Sequence, residues 1–259
     1  MSSIMLAGGT IEAEVEGDGP SLVLFHSLLA DRSSFAGILG PLAERFRVIV
    51  PALPGFDRTA WVEGGLAATA GRMAELVAHV AADGPVRLLG NGYGGFVALK
   101  LVIDHPHLVS RLVLADAGAA FSEPGRAAFR GMAMGTAAKG LEGIADIAMR
   151  RLFAADFHAA NPALVAVRRE IFLQSEPAVI IAACEALASM DLRPELAGVK
   201  LPVLAVVGAQ DEATPPAMSE ELVGLLSDAR LMVLDGLAHV PQLQAPERFL
   251  EAVLPFLEG

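Results

Sequence analysis

The sequence predicts an α/β protein: a mainly parallel sheet with helices on both faces and one helical insertion. Three observations carry this. Short apolar runs of strand length alternate with amphipathic helical patterns through the first 117 residues, which is how strands joined by crossover helices read. The rhythm then breaks from 118 to 191, a stretch rich in Ala, Met, Arg and Phe without β-branched strand runs. From 192 to 259 the strand rhythm returns. The expected organisation is a core of 1–117 and 192–259 interrupted by a helical lid at 118–191.

Taken in order, residues 10–15 alternate apolar and polar side chains as a strand does, and Ser21–Phe25 is a compact apolar strand ending at His26. A helix is expected over 35–45 and a buried strand over 48–50, stopped by Pro51 and Pro54. Residues 66–82 place apolar side chains at helical spacing up to the Asp83-Gly84-Pro85 breaker. Strands at 86–89 and 112–115 flank a helix over Tyr93–Asp104. In the insertion, breaks at Gly140, Asn161-Pro162 and Glu176-Pro177 divide three or four short helices, with surface helices packed beside the core as the plainer alternative. Strands at 203–207 and 231–234 and a helix over 245–256 complete the pattern.

Composition bounds the function. The chain has 259 residues, enough for one large α/β domain with an insertion. With 19 Lys+Arg against 30 Asp+Glu, its net charge of −11 disfavours nucleic acid or an anionic membrane as partner. The single cysteine, Cys184, excludes an internal disulfide framework and reads as a small buried hydrophobe. No apolar run spans a bilayer and no secretion signal is visible at the start, so a cytoplasmic, reducing setting is expected. Oligomeric state is not legible.

Chemistry concentrates in three segments. Gly90-Asn91-Gly92-Tyr93-Gly94-Gly95 follows a strand and opens a helix, the context of a nucleophile elbow. The nucleophile position is Gly92, which has no side chain to present. Gln210-Asp211 places a carboxylate beyond a strand end, and Ala238-His239 places an imidazole after the last strand. A histidine takes a nucleophile's proton, and a carboxylate fixes its tautomer and stabilises the imidazolium. The turn His26-Ser27-Leu28-Leu29 stands where an oxyanion donor is supplied, so the amides of Leu28 and Tyr93 are the expected pair. Asp211 also suits a helix N-cap, His239 a structural histidine, and Asp116 a second source of the acid. Ser27 reads first as a chain-turning residue, with a displaced nucleophile as the lesser alternative. His79, His105, His107 and His158 show no metal-ligand spacing. No metal or organic cofactor is implied.

The same glycines satisfy Gly-x-Gly-x-x-Gly through Gly90, Gly92 and Gly95, with Asp116 further on, as a nicotinamide-dinucleotide fingerprint would. Against this, several strands precede the motif, and the Asp211 and His239 segments go unused.

Across nearly its full length the chain resembles the α/β-hydrolases. Within them it is most similar to the β-ketoadipate enol-lactone hydrolase group. The resemblance rests on His26-Ser27-Leu28, Leu53-Pro54-Gly55-Phe56, the elbow, His105-Pro106, Asp191-Leu192-Arg193-Pro194 and the segment from Gln210 to Pro216. It implies an α/β-hydrolase fold with Asp211 as acid and His239 as base, acting on small esters or enol-lactones. The nucleophile role does not transfer, because Gly92 departs from the pattern. The glycine is consistent with an introduced substitution, with direct base catalysis by the His239/Asp211 dyad, or with a catalytically silent small-molecule binder. His26, Ser27, Phe129, Met132 and Phe153 are expected to contact substrate, beneath a roof that also includes Met134, Met149 and Phe172. Arg126, Arg130, Arg150 and Arg151 are candidate partners for a substrate carboxylate.

Overall fold

The computed structural model describes residues 2–81 and 84–259. Eight strands form one sheet: β1 (Ser2–Leu6), β2 (Gly9–Glu16), β3 (Ser21–Phe25), β4 (Arg47–Pro51), β5 (Val86–Asn91), β6 (Val109–Ala115), β7 (Val203–Gly208) and β8 (Ala229–Leu234). Their spatial order is β1-β2-β4-β3-β5-β6-β7-β8. The first two pairings are antiparallel and the remaining five parallel. The sheet order places the carboxyl ends of β3, β5, β6, β7 and β8 side by side, and the chain turns that follow them share one edge.

Helices α1 (Ala36–Ala43), α2 (Gly65–Val80) and α3 (Tyr93–Asp104) connect the early strands. The insertion between β6 and β7 holds five helices, more than its breaks suggest: α4 (Glu123–Lys139), α5 (Ala145–Leu152), α6 (Ala155–Ala160), α7 (Pro162–Leu173) and α8 (Pro177–Ser189). The extra division falls at 153–154, where extended backbone at Phe153 and Ala154 separates α5 from α6 without a Gly or Pro to mark it. Helices α9 (Pro216–Leu225), α10 (Pro241–Gln244) and α11 (Pro246–Glu258) complete the fold. The helix expected over 35–45 is shorter because Arg32–Phe35 forms a 3₁₀ turn ahead of it. Strand β1 and the short helix α10 are not expected from the sequence, and α9 only through the N-cap reading of Asp211.

Two apolar layers cover the two sheet faces. One packs α1 and α11 against Leu22, Leu24, Val48, Leu89, Val113 and Val206. The other joins α2 and α3 to the insertion, so Val179, Ile180 and Phe129 belong to the same buried cluster as Met73 and Phe96. Arg126 of α4 binds the insertion to itself through the carbonyls of Phe121, Ala188 and Met190. Arg168 of α7 reaches the core loop at Asp31 and Ser33. Cys184 is fully buried in α8, and burial pushes its thiol up to about 12, so it is unreactive as a nucleophile. Among the described residues no single helix is long and apolar enough to cross a membrane.

The elbow is packed at backbone distance. A Cβ on Gly90 would stand 2.4 Å from the Gly94 carbonyl oxygen, and one on Gly94 2.3 Å from that of Phe25. One on Gly95 would stand 2.6 Å from the Ala117 Cβ. Close approach of strand, turn and helix thus accounts for the glycine spacing without a dinucleotide. Gly94→Ala is expected to cost about 2–3 kcal/mol, seen as a Tm loss of roughly 5–10 °C in thermal unfolding monitored by circular dichroism.

Candidate active site

Gly92 sits between β5 and α3 at φ 53° and ψ −121°, a backbone conformation that costs a side-chain-bearing residue on the order of 1–3 kcal/mol. Its amide donates to the Ala115 carbonyl at 2.9 Å, and its own carbonyl accepts from Gly95 and Phe96 in the first turn of α3. The neighbouring Gly94 amide donates to the His26 carbonyl at 3.1 Å, pinning the elbow to the loop after β3.

His239 and Asp211 meet above this turn. His239 Nδ1 lies 2.9 Å from Asp211 Oδ2, with both side chains buried. The Thr214 hydroxyl donates to the same Oδ2 at 2.5 Å and lies 3.2 Å from Nδ1. The amides of Ala213 and Thr214 donate to Asp211 Oδ1 at 2.7 and 3.1 Å. Burial by itself would raise the Asp211 carboxyl. The His239 imidazole and these donors outweigh it and hold the pKa down to about 2. The carboxylate therefore stays ionised and favours a proton on Nδ1 facing it, which leaves Nε2 turned away from Asp211. Nε2 points at the elbow: a Cβ on Gly92 would stand 2.7 Å from it and 2.5 Å from Ser27 Oγ.

Three supporting residues were not singled out from the sequence. Thr214 could have been found from its place three residues after Asp211, the reach of a capping carboxylate to a backbone amide. Asn91, fully buried beside Gly92, donates to the His239 carbonyl at 2.9 Å, and Gln242 donates to its Oδ1 at 3.0 Å. These two contacts fix the histidine loop to the elbow, and no local pattern announces them.

The narrow pocket at the elbow is lined by Ser27, Leu28, Tyr93, Phe129, Arg151 and His239, among others, and has room for about 20 Å³, enough for one water. An open cleft of about 1520 Å³ outside it is lined by Phe153, Met149, Arg150, Arg151 and Asp211. Several expected contacts are corrected. His26 is fully buried; its Nε2 accepts from the Leu53 amide at 3.1 Å, Nδ1 faces the Ser27 carbonyl at 3.0 Å, and Phe56 packs edge-on against the ring. It therefore braces the loop and does not face substrate. Met132 and Phe172 are buried inside the insertion and line neither space, whereas Met134 is 71% exposed. Phe153 belongs to the outer cleft, stacked on Phe157. Of the four arginines, Arg130 pairs with Glu123 and Arg126 with backbone carbonyls. Arg151 alone borders both spaces. Its guanidinium lies 5.3 Å over the Phe129 ring, and burial lowers its pKa.

Asp116 is fully buried at the end of β6, in the left-handed region at φ 51°. Its Oδ1 accepts from the Gly208 amide at 2.9 Å, while Oδ2 has no hydrogen-bond donor among the described residues. Burial first, and the Asp211 carboxylate second, raise its pKa well above the ordinary value, so Asp116 holds its proton to higher pH than Asp211 does. One potential ligand atom each from Asp116, Asp211 and His239 lies within 4.8 Å of the others. Asp211 is already saturated by His239, Thr214 and two amides, which suits a positioned acid–base pair better than a metal cradle.

A model of the alpha/beta hydrolase fold family matches residues 20–246. The chain belongs to that family. A pimeloyl-[acyl-carrier protein] methyl ester esterase of Aeromonas hydrophila subsp. hydrophila is 30% identical, over 96% of this chain and 99% of its own. Among solved structures, the enol-lactonase of Burkholderia xenovorans LB400 superposes with a TM-score of 0.92 at 25% identity, covering all of both chains. A thermophilic esterase of Thermogutta terrifontis gives 0.88 at 26%, covering 99% of this chain and 97% of that one.

The raised pKa of Asp116 has a consequence for this hydrolase's stability. Below the ordinary carboxyl value of 3.8 Asp116 is protonated in both folded and unfolded chains. As pH rises the unfolded chain loses the proton first, so stability falls with pH. Asp116→Asn keeps the Oδ1 acceptor, is neutral, and tolerates positive φ. It is expected to raise stability at pH 8 by about 1 kcal/mol or more, roughly 2–4 °C in Tm, and to give no gain near pH 4. Asp211, whose pKa is held low, acts in the opposite sense: its contribution is present above 3.8 and lost as pH falls towards 2.

Proposed function

We propose that this chain hydrolyses small carboxylic esters or lactones, with His239 as general base and acid and Asp211 as its orienting carboxylate. The observation that carries this reading is the convergence of an Asp211-held imidazole, with Nε2 free to work, on the turn at Gly92. Leu28 and Tyr93 line the same narrow pocket, and their amides are the proposed donors to the carbonyl oxygen as it gains charge. The insertion acts as a lid, placing Phe129, Leu187 and Arg151 over the pocket. The relatives named above act on ester or lactone bonds by their names, which supports the same reaction class here.

The test is hydrolysis of 4-nitrophenyl acetate and of small enol-lactones. His239→Ala is expected to lower kcat/KM by on the order of 10²-fold or more. Gly92→Ser combined with Ser27→Ala restores a nucleophile at the elbow while removing the hydroxyl that its Cβ would strike. It is expected to raise turnover by a similar factor. Binding of these compounds with no turnover in either chain would instead identify a silent binding protein.

Arg151 gives the substrate class a direction. Among the described residues no close ion pair engages it, the Asp211 and Glu212 carboxylates acting on it only at longer range, and it borders both the inner pocket and the outer cleft. An ester or lactone carrying a second, free carboxylate meets a cation there. Arg151→Gln is expected to raise KM for such acid-bearing esters about tenfold, with kinetics on neutral esters changing by less than twofold.

A further inference from the structure

The hydroxyl that the elbow lacks has a neighbour on another loop. Ser27 Oγ lies 3.4 Å from His239 Nε2, and both atoms converge on the space that a Cβ on Gly92 would enter. The separation is long for a hydrogen bond, as nucleophile–base pairs often are before substrate binds. Nε2 and Ser27 Oγ are each other's only side-chain partners among the described residues. The serine is 1% exposed yet lines the inner pocket, so its hydroxyl faces the site and not solvent. Its carbonyl is held by two neighbours: it faces His26 Nδ1 at 3.0 Å and accepts from the Ala30 amide at 3.3 Å, the bond that closes the turn. His26 is anchored in turn by the Leu53 amide.

We propose that Ser27 is the nucleophile of this hydrolase, serving His239 and Asp211 from the loop after β3 in place of the elbow residue. The inference rests on the ester-hydrolase reading of the site. In the step it describes, Ser27 Oγ bonds to the substrate carbonyl carbon as its proton passes to His239 Nε2. The carbonyl oxygen becomes an oxyanion facing the Leu28 and Tyr93 amides. Collapse of the adduct breaks the carbon–oxygen ester bond, and the leaving alkoxide or enolate takes the proton from His239. Water then attacks the acyl-serine, gives its proton to His239, and the proton returns to Ser27 Oγ as the acid departs. The sum is ester plus water to acid plus alcohol. Leu28 follows Ser27 in the chain as Tyr93 follows Gly92, so each loop offers the amide next to its candidate nucleophile position, the arrangement that oxyanion stabilisation at an elbow uses. Gly92 contributes by leaving room: any side chain there would strike the Ser27 hydroxyl.

The experiment treats the native protein with an alkyl fluorophosphonate, which phosphonylates an activated serine and releases fluoride, and locates the adduct by tandem mass spectrometry. The chain has no Lys or Arg before Arg32, so trypsin delivers Ser27 in the N-terminal peptide and residues 90–95 in another. The expected result is a stoichiometric adduct on Ser27 that is lost in His239→Ala. Ser27→Ala is expected to lower kcat/KM for 4-nitrophenyl acetate by on the order of 10²-fold, with no change in Tm beyond a few degrees. Ester turnover that survives Ser27→Ala, with no adduct on Ser27 in the native chain, would overturn the proposal and assign the attack to water activated by His239. Absence of adduct and turnover in the native chain, with both gained by Gly92→Ser combined with Ser27→Ala, would overturn it while leaving the hydrolase reading intact. If that double variant also gains neither, the ester-hydrolase reading fails and this proposal fails with it.

Discussion

The site depends on one constraint, the backbone-distance packing of the β5–α3 turn against the loop after β3. Gly90, Gly94 and Gly95 admit no Cβ without collision, and the Gly94 amide is bonded to the His26 carbonyl. That approach brings Ser27 and Leu28 within reach of an elbow from which they are separated by two strands and two helices in the chain. Asn91 then carries the constraint across to the far loop by holding the His239 carbonyl. A fold assembled this way keeps its geometry with glycine at position 92, because that residue's role in packing needs only a backbone tolerant of φ 53°.

Electrostatics divides the labour between two buried acids. Asp211 collects every available donor and remains an anion in a place where burial alone would neutralise it. Among the described residues Asp116 has one amide for one oxygen and no donor for the other, beside the Asp211 carboxylate, and so holds its proton to higher pH. The difference lies in the donors rather than in depth, since both are almost fully buried. It makes Asp211 the group able to orient and stabilise an imidazolium, and Asp116 a filler at the end of β6.

Much of this was legible in the sequence. The strands at Ser21–Phe25 and 203–207 were readable because they are buried on both faces and carry unbroken apolar runs. The order of Gly92, Asp211 and His239 placed three groups on loops at one sheet edge. Strand β1 was missed because Ser2–Leu6 pairs only at the sheet margin, where burial leaves little pattern. The substrate-facing assignment of Met132 failed because helical spacing of apolar residues marks a buried face without saying which side of it is hollow.

By itself the sequence determined the layered architecture, which follows from local periodicity, while its resemblance in motifs and their order to a known family implied the family and the absence of an elbow nucleophile. Only the tertiary structure decided that Ser27 faces His239 across 212 positions of chain, that His26 is a brace, and that Asp116 and Asp211 are electrostatic neighbours. Those facts are set by how adjacent strand ends stack their loops, and a one-dimensional pattern carries no record of distance between residues on different loops.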